Sequence, residues 1–233
     1  MKKVLALFLG LSFLSAVTLQ DVLNKNYKAK GGLEKLRAIK TIHAVGKITA
    51  QGMEMPFETW MKMPDKIRME TTVQGQKIVQ AYDGKTAWWI MPMISPEPQP
   101  MPPQQAEQFK EQNWFKDPLI YYKDLGYKIE FLGEGEFEGN PVYKIKLTKP
   151  NGEIMIYYID KETGLELKMD FHGKRQGREI TAETVFGDYN QVNGITYPFY
   201  IETRSGGKVV SQVTISKIEI NIPVDDSIFQ MKK

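Results

Sequence analysis

From Thr41 onward, apolar residues recur at every second position in run after run. The runs are separated by pairs such as Gln51-Gly52, Gln74-Gly75, Asp83-Gly84, Asn151-Gly152, Asn193-Gly194 and Gly206-Gly207. A period of two belongs to a strand with one face buried and one in water, and a glycine-containing pair supplies the left-handed backbone of a tight hairpin turn. Such a chain is confined to antiparallel sheet built from consecutive hairpins. The segment Glu153–His172 shows this most clearly. After the turn Lys161-Glu162-Thr163-Gly164, the residues Leu165, Leu167, Met169 and Phe171 alternate with Glu166, Lys168, Asp170 and His172. Pairing Asp160 with Leu165 sets Tyr158, Ile156 and Ile154 opposite Leu167, Met169 and Phe171, a broad apolar surface on one side.

The other turns fix further registers. A two-residue turn at Gln51-Gly52 pairs Ala50 with Met53, Ile48 with Met55 and Ile42 with Met61, so the two apolar faces coincide. Past the break at Met63-Pro64-Asp65-Lys66, coincidence of faces is met if Met61 pairs with Met69 and Phe57 with Val73. Two-residue loops then pair Ile67 with Tyr82 and Ile78 with Trp89. This turns Ala87, Trp89 and Met91 to the apolar side and Trp88 to the other. Asn193-Gly194 pairs Phe186 with Ile201 and Asn190 with Tyr197. The count is about eleven strands, twelve at most, and a sheet this wide curls.

Two stretches depart from the period of two. Leu19 to Ile39 reads as helix interrupted at Gly31-Gly32, and residues 92–125 combine a proline-rich loop, PMISPEPQPMPP, with a helical region from Gln104 to Leu125. Proline lacks the N–H that a central strand or helix interior requires. Met93, Met101, Phe109, Trp114 and Phe115 make this region apolar enough to cover the concave face of a curled sheet as a lid. Residues 1–18 have the form of a secretory signal: Lys2 and Lys3, an apolar run from Val4 to Leu14, then small residues. That leader implies export to the periplasm and leaves 19–233 as a single domain.

The 233 residues include no cysteine, which excludes disulfides, thiolate metal sites, cysteine nucleophiles and a lipidated N-terminal cysteine. A formal charge of +3 gives no nucleic-acid footprint. The two histidines, His43 and His172, fall on polar faces and read as surface residues. Asp160, Glu162 and Asp170 fit a solvated hairpin face. Gly133-Glu134-Gly135 lacks the helix that a phosphate loop needs. No cofactor, no metal site and no enzymatic activity are expected. The twelve methionines and the aromatic residues suit flexible acyl chains, which need area more than directed hydrogen bonds.

The early Lys30-Gly31-Gly32 break, YDGKTAWW, YYIDKETGLELKM and DYNQVNGITYPFYIE, in that order, resemble the LolA-like family of outer-membrane lipoprotein-sorting proteins over nearly all of the chain beyond the leader. The resemblance implies a mainly β fold: a curved antiparallel sheet forming an incomplete β-barrel, with an N-terminal helix and a mid-chain helical lid over the concave face. It also implies a hydrophobic cavity for the acyl chains of a lipoprotein or lipid, with an inner-membrane donor and an outer-membrane acceptor, and a monomeric carrier. The apolar faces nominate Ile48, Met55, Phe57, Met61, Met69, Trp89, Met91, Ile156, Met169, Phe171, Phe186, Phe199 and Ile201 for that cavity. The best-known carriers hold their lid closed with an arginine, and here Arg68 falls on the polar side of its strand. The alternative is a non-catalytic module that binds a protein partner or senses envelope state. Its concave face would be filled, and Trp60 or Trp88 would mark the interface.

Overall fold

Each period-two run becomes a strand, and the glycine pairs become the turns between them. A computed structural model describes residues 16–111, 116–175 and 177–232. Most of the expected leader, and the lid residues Trp114 and Phe115, lie outside the described residues. The described residues form thirteen strands: β1 Thr41–Ala50, β2 Met53–Lys62, β3 Lys66–Val73, β4 Gln76–Tyr82, β5 Ala87–Met91, β6 Ser95–Pro100, β7 Lys128–Phe137, β8 Asn140–Thr148, β9 Ile154–Asp160, β10 Glu166–Arg175, β11 Arg178–Val192, β12 Ile195–Ser205 and β13 Lys208–Ile220. All belong to one antiparallel sheet in the order β6-β5-β4-β3-β2-β1-β13-β12-β11-β10-β9-β8-β7. Two meanders, β1 to β6 and β7 to β13, are thus joined along β1 and β13. The end strands β6 and β7 do not pair, and the curved sheet remains an open half-barrel.

This topology dictates where the mid-chain helices go. The chain leaves the sheet at one edge and re-enters at the other, and residues 101–111 and 116–127 lie on the concave side. They carry α3 (Pro103–Glu111) and α4 (Pro118–Tyr121). Met101, Phe109, Leu119, Ile120 and Tyr121 are buried there in the main core. Ahead of the sheet, α1 (Leu19–Ala29) is started by a capping box between Thr18 and Asp21. It buries Val22, Leu23 and Tyr27 against the same core. Asn26 Nδ2 donates to the Gly164 carbonyl at 2.9 Å, and the Tyr27 hydroxyl donates to the Leu119 carbonyl at 2.6 Å. At the glycine break before α2 (Leu33–Arg37), Gly31 has φ +114°, and a Cβ there would meet the Gly194 carbonyl oxygen at 2.2 Å. The break is therefore also the docking point of α1 on the β11–β12 turn.

The strand count exceeds the expected eleven or twelve because β6 forms where a proline-rich loop was expected. Its prolines, Pro96, Pro98 and Pro100, fall at alternate positions. Pro100 pairs with Trp88, and the register then shifts between Trp89 and Met91, so Pro96 and Pro98 lie in the irregular stretch of the pairing. Met101 N–H, on the other parity, donates to the Ala87 carbonyl at 2.8 Å.

The registers at Ala50–Met53, Ile67–Tyr82 and Phe186–Ile201 are as the turns required. Two others slip by two residues. Met61 pairs with Ile67 rather than Met69, and Gln80 rather than Ile78 pairs with Trp89. A slip of two keeps every side chain on its face. The β9–β10 hairpin differs in kind. Glu166 pairs with Ile159, but a bulge at Leu167 follows, and then Lys168 pairs with Tyr158, Met169 with Tyr157 and Phe171 with Met155. Ile156 is therefore opposite Asp170 and Lys146 on the outer face, not the cavity face.

On the outer face the C-terminal segment straps β2 to β5. Lys62 and Lys66 both pair with Asp226, and Arg68 Nη1 donates to the Ile228 carbonyl at 2.7 Å. Trp88 Nε1 donates to the Phe229 carbonyl at 2.7 Å. Trp88 is 3% exposed, in a small outer cluster with Val79 and Ala81. It does point away from the concave side, as its parity required, but the strap covers it. Trp60 stacks on His43, whose ring lies between Glu58 (2.8 Å) and Glu219 (2.9 Å) with its side chain only 12% exposed. The expectation that His43 is a simple surface residue is corrected accordingly.

Candidate functional site

The concave face keeps a row of apolar side chains from strand to strand. Met55 pairs with Ile48, Ile48 with Val213, Val213 with Ile201, and Ile201 with Phe186. Beside this row Gly46 pairs with Phe57, leaving room for the ring. Between this surface and the helices lies a cavity of about 440 Å³. Most of its wall is aliphatic or aromatic: Leu36, Ile39, Ile42, Ala44, Ile48, Phe57, Ile67, Met69, Ile120, Phe186, Ile201, Val213, Ile215 and Ile218 are in it. The volume falls in the lower half of the range for small-molecule sites, roughly 300–1,000 Å³.

Of the residues nominated from sequence, Ile48, Phe57, Met69, Phe186 and Ile201 line this cavity. Met61 is fully buried in the core instead. Trp89, Met169, Phe171 and Phe199 pack against that core without reaching the cavity wall, and Met55 and Met91 are half-buried beside it. Ile156 faces outward for the reason given above. In the lid region, Met101 and Phe109 are buried. Met93 is 83% exposed at the β5–β6 turn and covers nothing.

The polar end of the cavity was not anticipated. Lys30, the C-terminal cap of α1, extends its ammonium to Asp117 Oδ2 and, at 2.8 Å, to Glu166 Oε1. The three side chains are 13%, 23% and 8% exposed and all line the cavity. Asp117 also caps α4, its Oδ1 accepting from the Leu119 N–H at 2.8 Å. The Lys30 backbone carbonyl accepts from Thr196 N–H at 3.0 Å, so the lysine is fixed at both ends. Burial by itself pulls the Lys30 pKa down; the two carboxylates more than reverse this and hold it above the ordinary lysine value. Tyr189 donates to the Glu166 carbonyl at 2.6 Å, and burial together with the Glu166 charge pushes its phenol far up. The Lys30–Asp117–Glu166 group thus ties the N-terminal helix, α4 and the sheet together at one point.

Sequence reasoning missed this group for two reasons. A lysine before Gly-Gly is an ordinary helix-end cation. Glu166 alternates with Leu165 and Leu167 and so reads as a solvated residue. The bulge at Leu167 is what turns Glu166 inward, and nothing in the local pattern announces it. Arg68, weighed as a lid-holding residue, is bound on the outer face to Glu70 and the C-terminal strap.

Comparison with known proteins agrees with this architecture. A family model described as "uncharacterized protein" matches residues 67–233. No curated protein matches the sequence significantly. Three of the similar crystal structures illustrate this architecture. A DUF1329 family protein from Desulfovibrio piger has TM-score 0.60 and 16% identity, with 89% of this chain and 97% of that chain covered. A LolA superfamily protein from Nitrosomonas europaea has TM-score 0.61 and 15% identity, covering 92% and 98%. A domain from Vibrio parahaemolyticus assigned to the outer membrane lipoprotein-sorting proteins has TM-score 0.58 and 11% identity, covering 90% and 94%. With a family model over well more than half its length and the open barrel shared with these structures, the chain belongs to that uncharacterized-protein family and is LolA-like in fold.

Proposed function

We propose that this chain is a periplasmic carrier that shields the acyl chains of a lipid or lipoprotein in its concave cavity during outer-membrane sorting. The observation that carries this reading is an apolar cavity between a sheet that does not close and the helices α2 and α4. Each methylene moved from water into such a wall gains about 0.8 kcal/mol, enough for a few buried chain segments to compete with a membrane. Residues 1–18 act as the export leader, an inner-membrane donor loads the chain and an outer-membrane acceptor unloads it. Loading and release follow movement of α4, which Lys30 holds in place through Asp117. The protein-binding alternative loses its marker residues, because Trp88 is under the C-terminal strap and Trp60 is stacked on His43.

The test is native mass spectrometry of the mature chain purified from a membrane-containing host, with extracted lipids analysed in parallel. A stoichiometric lipid or acylated peptide is expected, and Ile48→Trp together with Val213→Trp, which fill the cavity, should displace it while the protein stays folded. A lipid-free mass, with no uptake from vesicles, would overturn the reading.

A further inference from the structure

The cavity is apolar except at one end, and that end is charged unevenly. One ammonium, Lys30, faces two carboxylates, Asp117 and Glu166, a formal charge of −1 in a wall that among the described residues has no other charged side chain. The unused hydrogen-bonding capacity has the same sign. Asp117 is bonded through both oxygens, to Lys30 and to the Leu119 N–H. Glu166 gives Oε1 to Lys30. Among the described residues its Oε2 has only the Tyr189 hydroxyl at 3.5 Å, and that hydroxyl already donates to the Glu166 carbonyl at 2.6 Å. A carboxylate oxygen on a side chain more than nine-tenths buried is thus left accepting almost nothing, at the wall of a space sized for a ligand.

Resting on the carrier reading of this cavity, we infer that the Lys30–Asp117–Glu166 end is a head-group site that selects amphiphiles with a cationic, hydrogen-bond-donating head, an alkylammonium in the simplest case, over carboxylate-headed ones. An ammonium brought to Glu166 Oε2 makes the local charge zero and supplies the missing donor. A hydroxyl supplies a donor without the charge. A carboxylate raises the local charge to −2 and brings two further acceptors to a group already rich in them. Charge interactions in a partly desolvated site are several-fold stronger than in water, so head-group sign outweighs small differences between equal tails.

The experiment is displacement of a fluorescent apolar probe from the full mature chain at pH 7 by dodecylammonium, dodecanol and dodecanoate, each below its micelle concentration. Dodecylammonium is expected to bind at least about tenfold more tightly than dodecanoate, with dodecanol between. Glu166→Gln, which removes the open negative charge, should bring ammonium and carboxylate to near parity and leave dodecanol little changed. If Glu166→Gln fails to fold, Asp117→Asn, at the most exposed member of the group, removes the same charge. Dodecanoate binding as tightly as dodecylammonium would overturn the inference and leave the carrier reading intact. So would an ammonium preference that survives in the folded variants. Failure of all three amphiphiles to displace the probe would overturn both.

Discussion

At the scale of single residues, the cavity's polar end rests on a lysine that solvent barely reaches. Charges held in this way cost several kcal/mol each to desolvate, and the cost is offset only while every partner is present. Lys30→Met leaves Asp117 and Glu166 buried side by side without a counter-charge. It should destabilise the protein by about 3–5 kcal/mol, read as a lowered midpoint in urea. Adding Glu166→Gln and Asp117→Asn to Lys30→Met should recover much of that loss, because the whole charged group is then gone. A wild-type midpoint for Lys30→Met would show that the three groups are not coupled. Both key residues were in plain view in the sequence, yet neither was readable as a cavity residue. Lys30 depends on where a distant helix docks, and Glu166 on one extra residue in a strand.

At the scale of elements, the sequence was most informative where parity alone decides. Hairpin turns set the face of nearly every strand, and the two slipped registers changed neighbours without changing faces. Ile48, Phe57, Met69, Phe186 and Ile201 therefore reached the cavity, while Ile156, beyond a bulge, did not. The C-terminal segment was invisible for a different reason. After Ile220 the chain has no period, only single contacts: an Asp226 bridging two lysines and a carbonyl over Trp88. Truncation after Pro223 should expose Trp88. Red-shifted tryptophan emission and a loss of about 3 kcal/mol or more in denaturant are expected, comparable to removing a large buried side chain's packing. Unchanged emission would mean that the strap does not cover the ring.

At the scale of the whole molecule, the pairing of β1 with β13 joins two meanders that local patterns describe separately. The placement of α3 and α4 on the concave side follows from it. Only that long-range pairing reveals which edges stay open and where a cavity can lie. Desolvated phenols on both faces of the sheet give the molecule a shared pH response. Tyr27 is raised to about 12, by burial first, and Tyr158 to about 12, by burial and its bond to Asp170, from an ordinary value of 10.0. Above pH 10 the unfolded chain gives up these protons while the folded one keeps them. The unfolded state then binds fewer protons, and stability falls as pH rises. Lys30, also raised, has the same sign. Stability should therefore be fully present below about pH 10 and decline toward pH 12, followed by phenolate absorbance and circular dichroism together. Tyr27→Phe should flatten that decline, whereas an unchanged slope would place the response elsewhere.

An open sheet is also a seed. A strand with a free edge can recruit the same strand from another molecule, and the process repeats without limit. Pro96, Pro98 and Pro100 leave three of the six residues of β6 without a backbone N–H, so a second copy finds a broken ladder there. The open sheet is in this way protected at that end from polymerising.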